Sequence, residues 1–534
     1  MKHQTAFTAP HFKAAQVGQQ ILDAGGTASE AMVAAAAMIA VQYPHMNGIG
    51  GDSFWLIAKA GQTPVAIDGC GAAALNVNVE YYRALGDELP FSGGESAITM
   101  AGTIAAWQKA LEVDAGTLTL TELLQPAIDA ARDGVEVTQS LVNASEKTFE
   151  RLASLQAFAQ NFLKQGKTLK VGDTLVNEAL ANTLQALAER GLDDFYRGEI
   201  AASAAKELQA AGSPLTLDDF HAHQAKVVTG DDFHAHQAKV MAPLTVNTAK
   251  GRLYNFGAPT QGVASLLILA IYDRLASQAQ SEVDHIHLLV EATKQAFIIR
   301  DREVCDEEFL SQPLQEWLID SVVDQCAANV SLNEALPWPH EAKPGDTIWM
   351  GASDQYGTMV SFIQSVYWEF GSGVFLPETG ILWNIRSKSF SLDARHHNVL
   401  APGKKPFHTL NPAYAELADG RRMSYGTMGG EGQPQTQACL FSRYHYQHFS
   451  LSDAIAAPRW LLGRTWGNST NNLRLEQSLY EQYGDALKQR GHDVTFVADC
   501  NELMGHAGAI ILDTHGKACA TSDPRSDGTS LLGE

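Results

Sequence analysis

The chain has 534 residues, 45% of them hydrophobic, and a formal net charge of -22. This length allows two to four ordinary domains or one large layered fold, and the apolar content is ample for a sizeable core. The negative charge argues against nucleic acid and anionic membranes as partners, because both attract basic surfaces.

The opening segment carries no targeting signal that we recognise. Residues 1–10 lack the apolar region of a secretory signal peptide, so we expect a cytoplasmic protein. The six cysteines are scattered and form no CxxC pair, which argues against a disulfide framework or a zinc ribbon and favours buried, reduced thiols.

The first elements are predicted to be two helices and a hairpin. Helical spacing of apolar residues covers 11–24 and 28–41, and Gly25-Gly26 provides a stop between them. The alanine-rich run 31–41 is far shorter than the roughly 20 residues of a membrane span, so it predicts a buried helix. Two apolar runs around a Gly-Gln turn then predict a hairpin over 54–67.

The apolar pattern changes its period along the chain. Helical spacing dominates 102–211 and 262–300, whereas alternation with period two appears over 348–366 and again over 509–521. Helices concentrated in the first two-thirds and hairpins in the last third favour an α+β fold. We predict a four-layer αββα sandwich, in which helices cover two stacked antiparallel sheets.

A segment of ten residues is duplicated. The sequence DDFHAHQAKV occupies 218–227 and recurs letter for letter at 231–240. Two copies are too few for a solenoid. The His-x-His pairs could be argued as metal ligands, but no carboxylate or cysteine stands at convincing ligand spacing. We therefore predict a tandem insertion in a surface loop and no metal site.

Thr347 opens a predicted strand directly after Asp346. If the chain is cut between these residues, the new α-amine, with a pKa of about 8, can serve as general base for the threonine's own hydroxyl. A threonine at the start of a strand is by itself ordinary, because β-branched residues favour strands. The rest of the chain must decide between the two interpretations.

Three glycine-rich turns lie at 47–52, 370–373 and 426–432. The first follows a helix instead of a strand, and no acidic residue completes a dinucleotide-binding unit, so we expect no nicotinamide and no other cofactor. The third could direct two backbone N–H groups at one oxygen, as acyl transfer requires, or be a plain turn.

Together these segments resemble the gamma-glutamyltranspeptidase family of N-terminal-nucleophile hydrolases over nearly the whole chain. The matching stretches are residues 25–31, 44–51, 290–301, 346–347, 370–382, 406–412, 429–430 and 522–526. The resemblance implies a precursor that cleaves itself into a helix-rich large subunit, 1–346, and a strand-rich small subunit, 347–534. These subunits would form one intertwined fold, as a single pair or as a dimer of pairs.

The resemblance also implies the catalytic roles. Thr347 would be the nucleophile, freed by autocatalytic cleavage after Asp346. Ser365 would be the hydroxyl bonded to Thr347, and Gly429 and Gly430 would donate hydrogen bonds to the oxyanion.

The chain departs from the family where a gamma-glutamyl group would bind. Cys70 stands in place of the arginine that clamps the substrate's α-carboxylate, and Ser389 in place of the aspartate that holds its α-ammonium. Tyr367 replaces an asparagine, and His408-Thr409 replace a pair of serines. Unmatched buried polar groups cost a few kcal/mol each, so glutathione is a poor candidate substrate.

The same positions favour a small acid amide. Arg386 can hold a carboxylate with two N–H groups, and Tyr367 would shorten the pocket. This set resembles the oxamate amidohydrolase branch of the family, which implies hydrolysis of oxamate to oxalate and ammonia in purine-ring catabolism, with water as acyl acceptor. Arg386 could instead be a surface arginine, His408 a loop histidine and Tyr367 a packing residue.

Three other functions stay open. The first is an acylase for a longer acid, such as a glutaryl or cephalosporin side chain, for which Arg386 would serve equally well. The second is gamma-glutamyl transfer or glutathione hydrolysis with a rearranged clamp. The third is an unprocessed, non-catalytic binder.

Overall fold

Two antiparallel sheets lie face to face at the centre of the molecule, and helices cover both outer surfaces. The structure is a computed structural model that describes residues 2–228, 242–338, 345–463 and 471–533. Its layers follow the predicted αββα order, so the predicted fold class is confirmed.

The strands of the described residues are numbered in chain order. They are β1 (Ala6–Ala9), β2 (Asp52–Ala58), β3 (Val65–Gly69), β4 (Val135–Glu136), β5 (Thr174–Leu175), β6 (Lys226–Val228), β7 (Leu244–Thr248), β8 (Gly251–Asn255), β9 (Asp346–Ser353), β10 (Met359–Tyr367), β11 (Phe375–Leu376), β12 (Ile381–Leu382), β13 (Ala413–Leu417), β14 (Arg422–Thr427), β15 (Trp460–Leu462), β16 (Leu473–Glu476), β17 (Val494–Val497), β18 (Ala507–Leu512), β19 (Ala518–Ser522) and β20 (Thr529–Leu532).

The α-helices are numbered in the same way. They are α1 (Phe12–Asp23), α2 (Ala28–Gln42), α3 (Val79–Leu85), α4 (Thr103–Val113), α5 (Leu120–Asp133), α6 (Gln139–Leu152), α7 (Gln156–Phe162), α8 (Glu178–Arg190), α9 (Asp194–Arg197), α10 (Glu199–Ala210), α11 (Leu217–Ala222), α12 (Gly262–Leu275), α13 (Glu282–Glu303), α14 (Asp320–Ala328), α15 (Gln433–His445), α16 (Leu451–Ala456) and α17 (Gln477–Gln489). Among the described residues, none of these helices combines the length and apolar character that a bilayer crossing requires.

The first sheet has the order β20-β1-β9-β10-β2-β3-β6, and the second has the order β19-β18-β14-β13-β8-β7. Helices α1, α2 and α4 pack on the first sheet, and α12, α15 and α16 pack on the second. Both sheets contain strands from before and after residue 347. A cut at that position would therefore leave the two pieces joined by the hydrogen bonds of both sheets.

Alternation along β9 explains its place between two apolar layers. Ile348, Met350 and Ala352 lie in the core shared with α1 and α2, whereas Trp349 lies in the core between the sheets. The indole of Trp349 packs against the second sheet where glycines leave room for the ring. A Cβ built on Gly508 would lie 2.6 Å from it.

Helix α2 begins where the sequence predicted. The hydroxyl of Thr27 accepts a hydrogen bond from the Glu30 amide at 3.2 Å, and the Glu30 carboxylate accepts one from the Thr27 amide at 2.8 Å. All residues of α2 are buried, as expected for its alanine-rich run. The predicted hairpin is formed by β2 and β3, and the late alternating segments form β9, β10, β18 and β19.

One prediction from the sequence was wrong in part. Cys500 and Cys519 are exposed, although the other four cysteines are buried and all six are free thiols. The first copy of the duplicated segment forms most of α11 and part of the strand β6 at the edge of the first sheet. The second copy, with its His234 and His236, lies outside the described residues.

Candidate active site

Thr347 is the second residue of β9, which is an inner strand of the first sheet, and it is fully buried. Side chains alternate along a strand, so Thr347 shares with Trp349 the face that is directed towards the second sheet. The catalytic turn predicted at 426–432 follows β14 of that second sheet. The fold therefore brings the predicted nucleophile towards the predicted oxyanion turn.

Ser365 lies on β10, the strand that pairs with β9. Its hydroxyl accepts a hydrogen bond from the Tyr367 amide at 2.8 Å. The pairing of β10 with β9 shifts register between Gln364 and Tyr367, and Tyr367 takes a φ of 83°. A positive φ is strained for an aromatic residue, so this bulge holds Tyr367 in a conformation that a regular strand would not give.

Gly429 and Gly430 form a turn that only glycine adopts easily, with φ values of 126° and 51°. A Cβ built on Gly430 would lie 2.8 Å from the carbonyl oxygen of Gly345, two residues before Thr347. The predicted oxyanion turn therefore lies in direct contact with the segment that leads into the predicted cleavage site.

Gln261 joins this turn to the pocket wall. Its side-chain amide donates to the carbonyl oxygens of Gly430 and Thr409, both at 2.8 Å. Arg300 donates in turn to the Gln261 side-chain oxygen at 3.1 Å and to Glu431 at 3.0 Å. This buried network fixes the backbone of two predicted site segments relative to each other.

Arg386 is buried at 1% exposure, so it is not a surface arginine. One guanidinium nitrogen, Nη1, donates to the hydroxyl of Thr409 at 3.2 Å, and the guanidinium carbon lies 4.0 Å from the centroid of the Tyr367 ring. The other terminal nitrogen, Nη2, is buried and has no hydrogen-bond partner among the described residues. Burial lowers the pKa of Arg386, while Tyr367 and Asp52 oppose this shift.

Ser389 lies in the same short 3₁₀ helix as Arg386, Arg386–Ser389, and is buried. Burial raises the pKa of the Tyr367 phenol, whereas the Arg386 cation and the Ser389 hydroxyl favour the phenolate and oppose the shift. Tyr367 and Ser389 therefore lie beside Arg386, and their roles in substrate binding stay predictions.

His408 pairs with an aspartate that sequence reasoning had not assigned. Its Nε2 lies 3.0 Å from a carboxylate oxygen of Asp52, and its Nδ1 accepts from the Leu410 amide at 3.4 Å. Burial, with the cations Arg386 and Lys405, holds the pKa of His408 well below its usual range. The imidazole is therefore neutral and donates its Nε2 proton to Asp52.

Asp52 is itself buried and accepts two backbone hydrogen bonds, from Gly71 at 3.0 Å and Gly102 at 3.3 Å. Burial raises the pKa of Asp52 to about 7, against the opposing effect of Arg386 and these amides. Asp52 directly follows the glycine loop 47–51, and this polar residue at the start of an apolar strand was the signal that could have identified it.

Among the residues that the structure describes, two groups of side chains have the geometry of metal ligands. The atoms of Asp52, Cys70 and His408 lie within 4.8 Å of one another, as do those of a second group, His287, Glu291 and His492. Arg386 stands beside the first group, and the ammonium of Lys294 is bound to Glu291 at 2.6 Å in the second. In each group a resident cation opposes the binding of a metal ion.

Comparison with known proteins finds relatives along nearly the whole chain. The family model described as gamma-glutamyltranspeptidase matches residues 14–230 and 227–532, so each matched stretch contains one copy of the duplicated segment. The oxamate amidohydrolase proenzyme of Klebsiella pneumoniae subsp. pneumoniae is 46% identical over 98% of this chain and 97% of its own length. The glutathione hydrolase-like YwrD proenzyme of Bacillus subtilis is 37% identical, over 98% and 97%.

A solved structure shares the fold along the whole chain. The cephalosporin acylase from Bacillus halodurans superposes with a TM-score of 0.88 at 29% identity, covering 99% of this chain and 96% of that protein. The related proteins are hydrolases of amide bonds whose names mark several of them as proenzymes.

Proposed function

Since the chain belongs to the gamma-glutamyltranspeptidase family and is a hydrolase of amide bonds, we propose that it hydrolyses a small acid amide, oxamate, to oxalate and ammonia. Thr347 is the nucleophile in this proposal, freed by autocatalytic cleavage after Asp346. The observation that carries the proposal is the buried Arg386, whose Nη2 is directed at no described protein acceptor. A relative that shares 46% of its residues is named for this reaction.

The substrate's carboxylate would bind at Arg386. A buried polar group without a partner costs free energy, and a carboxylate that accepts from Nη2 would remove that cost. The Tyr367 ring covers the guanidinium at 4.0 Å and limits the length of the acid that fits. In the proposal, the amide carbonyl next to this carboxylate is the group that Thr347 attacks.

The same amine takes up and releases one proton in each of the two half-reactions. The Thr347 hydroxyl attacks the amide carbon while the α-amine takes its proton, and the amides of Gly429 and Gly430 donate to the resulting oxyanion. The amine gives the proton to the departing ammonia, which leaves an ester on Thr347. Water then attacks the ester with the amine again as base, and oxalate departs as the threonine hydroxyl is restored.

The precursor's own cleavage uses the same hydroxyl. Thr347 attacks the carbonyl carbon of Asp346, the peptide nitrogen leaves as the new amine, and water hydrolyses the ester. The products are a large subunit, 1–346, and a small subunit, 347–534. We place the enzyme in the cytoplasm, at the step of purine-ring catabolism that releases ammonia from oxamate.

A longer acid amide is the second candidate, because a cephalosporin acylase shares the fold along the whole chain. Gamma-glutamyl substrates fit this site less well, since Cys70 offers no cation to an α-carboxylate. Cys70 is buried, and burial is the main cause that raises the pKa of its thiol well above the ordinary value. A non-catalytic binder would stay uncut.

The test is ammonia or amine release from oxamate, glutaryl amide, glutamine and a gamma-glutamyl anilide, with a denaturing gel of the same sample. We expect fragments of 346 and 188 residues from the 534-residue chain and the highest kcat/KM on oxamate. A preference for glutaryl amide would favour the acylase, and a preference for the anilide the gamma-glutamyl enzyme. A single uncut chain without turnover would favour the binder.

A further inference from the structure

The proposed reaction leaves the Asp52 carboxylate without a role. Asp52 is 1% exposed and accepts hydrogen bonds from the Gly71 and Gly102 amides and from His408. It lies opposite Ser365 in the pairing of β2 with β10, so it belongs to the same end of the first sheet as the nucleophile. Burial of a charged carboxylate costs free energy, so the position of Asp52 beside the nucleophile needs a physical explanation.

The surroundings of Asp52 are rich in ionisable groups. The titratable and charged side chains that face it are Asp68, Cys70, Tyr196, Arg386, Lys405 and His408. Lys405 is ion-paired with Asp68, and His408 is neutral. Arg386 is therefore the cation that the Asp52 carboxylate balances.

This balance changes when an anionic substrate arrives. A substrate carboxylate at Arg386 would place a second anion beside Asp52 in a buried site, where like charges repel strongly. Uptake of one proton by the Asp52–His408 pair would remove this repulsion between the two anions. The proton can sit on the Asp52 oxygen, with His408 as the Nδ1–H tautomer, or on His408 as an imidazolium beside the carboxylate. In both forms Nδ1 carries a proton, so uptake also breaks the 3.4 Å hydrogen bond that Nδ1 accepts from the Leu410 amide.

We propose that the Asp52–His408 pair takes up one proton from solvent as an anionic substrate binds Arg386, and that this coupling selects for substrates with one carboxylate at that position. The inference rests on the proposed function, because it assumes that the substrate's acid group binds Arg386. Asp52 acts here as a specificity-determining residue and not as a catalytic one, since it acts through Arg386 and His408.

The raised pKa of Asp52, about 7, fixes the direction of the effect. Below this value the pair already carries the proton, and an anion binds without further uptake. Above it the carboxylate is ionised, and binding must draw a proton from solvent. The apparent affinity for an anion should therefore fall as pH rises above about 7.

Calorimetry with pyruvate tests the coupling without turnover. Pyruvate is a monoanion of nearly the same shape as oxamate and carries no amide to hydrolyse. Titration of the processed wild-type enzyme at about pH 7.5, in buffers of different ionisation heat, should show uptake of roughly half to one proton per bound pyruvate. Binding without uptake overturns the coupling and leaves the proposed function standing. Absence of both pyruvate binding and oxamate hydrolysis overturns the two together.

Steady-state kinetics supply the residue-specific arm. From about pH 6 to about 8.5 the KM for oxamate should rise, by at most about tenfold per pH unit above 7, while kcat should rise with deprotonation of the Thr347 α-amine, whose pKa is about 8. Asp52→Asn should flatten the KM profile, and the neutral analogue pyruvamide should show a flat KM in both enzymes. An unchanged slope in Asp52→Asn would remove Asp52 from the role.

Asp354→Asn is the matched control. Asp354 is also a buried aspartate whose pKa is raised by burial, and it accepts hydrogen bonds from the Ala28 and Thr358 amides. It lies at the turn after β9, away from Arg386. The control should keep the wild-type slope of KM against pH. If Asp52→Asn fails to fold, the calorimetric result for the wild type still decides the proposal.

Discussion

The guanidinium carbon of Arg386 lies 4.0 Å from the centroid of the Tyr367 ring, so cation and aromatic face form one wall of the candidate pocket. Each of the two residues is held by something other than the partner. Arg386 donates to Thr409 at 3.2 Å, and Tyr367 is placed by the register shift in β10. This division allows the charge and the size of the pocket to be altered separately.

Removal of the charge should affect acid amides alone. We expect Arg386→Met to lower kcat/KM for oxamate roughly 10- to 100-fold, since a charge-assisted hydrogen bond contributes about 1.5–3 kcal/mol. The neutral analogue pyruvamide should lose less than about threefold. Arg386→Lys keeps the charge but lacks the planar guanidinium, so its kcat/KM for oxamate should lie between the values of the wild type and Arg386→Met. Equal losses on oxamate and pyruvamide would remove Arg386 from substrate binding.

Shortening the aromatic wall should change the preferred acid length. We expect Tyr367→Ala to raise the ratio of kcat/KM for glutaryl amide to that for oxamate by about tenfold or more, because the ring no longer limits the acyl chain. Tyr367→Phe is the control: it keeps the ring over Arg386 and should retain the wild-type ratio. Competition between the two amides in one assay gives this ratio directly.

Replacement of the nucleophile should stop both processing and turnover. We expect Thr347→Ala to remain a single chain on a denaturing gel and to release no ammonia from oxamate. Thr347→Ser keeps a hydroxyl and a potential α-amine, so it should cleave and react at a reduced rate. A cleaved and active Thr347→Ala protein would contradict the assignment of Thr347 as the nucleophile.

Gly430 should tolerate no side chain. Its φ is 51°, and a Cβ there would lie 2.8 Å from the carbonyl oxygen of Gly345. We expect Gly430→Ala to slow autocatalytic cleavage by about tenfold or more, as followed on a gel after rapid purification. Gly420→Ala is the matched control, because Gly420 has a φ of 87° but lies in an exposed turn. Similar slowing in both variants would mean that backbone strain alone is responsible.

A buried ionic cluster should dominate the stability of the small subunit. Arg525 binds Glu476 and Asp523, Arg459 binds Asp523 at 2.5 Å, and these side chains are at most 1% exposed. We expect Glu476→Gln to lower the free energy of unfolding by about 3–5 kcal/mol, because the one remaining carboxylate, Asp523, would then face two buried arginines and leave a net positive charge. Asp320→Asn, which breaks an exposed pair with Arg274, should cost about 1 kcal/mol or less. Urea denaturation of both variants checks this.

Much of the fold could be predicted because it depends on local patterns. The capping residues of α2, the turn between β2 and β3, and the alternation along β9 and β10 are each encoded within a few neighbouring residues. Strand β1 was missed, because four residues, Ala6–Ala9, carry too little pattern. Its pairing with β20 and β9 is decided by residues more than 300 positions away.

The site was predicted less completely than the fold. The resemblance pointed to Thr347, Arg386 and the glycine turn, and all three are buried in the structure. The partners Asp52 and Gln261 were missed, since His408 lies 356 positions from Asp52 in sequence. A hydrogen bond of that separation leaves no trace in composition or spacing. The roles of the site residues stay predictions for the experiments above.

The contact between Gly345 and Gly430 has a consequence for the life of the newly made protein. While the peptide before Thr347 is intact, its backbone lies against the turn at Gly430. Under the proposed mechanism this turn donates to the oxyanion, so the uncut chain would block its own substrate site, and every molecule would have to cleave itself once before it could act on a substrate.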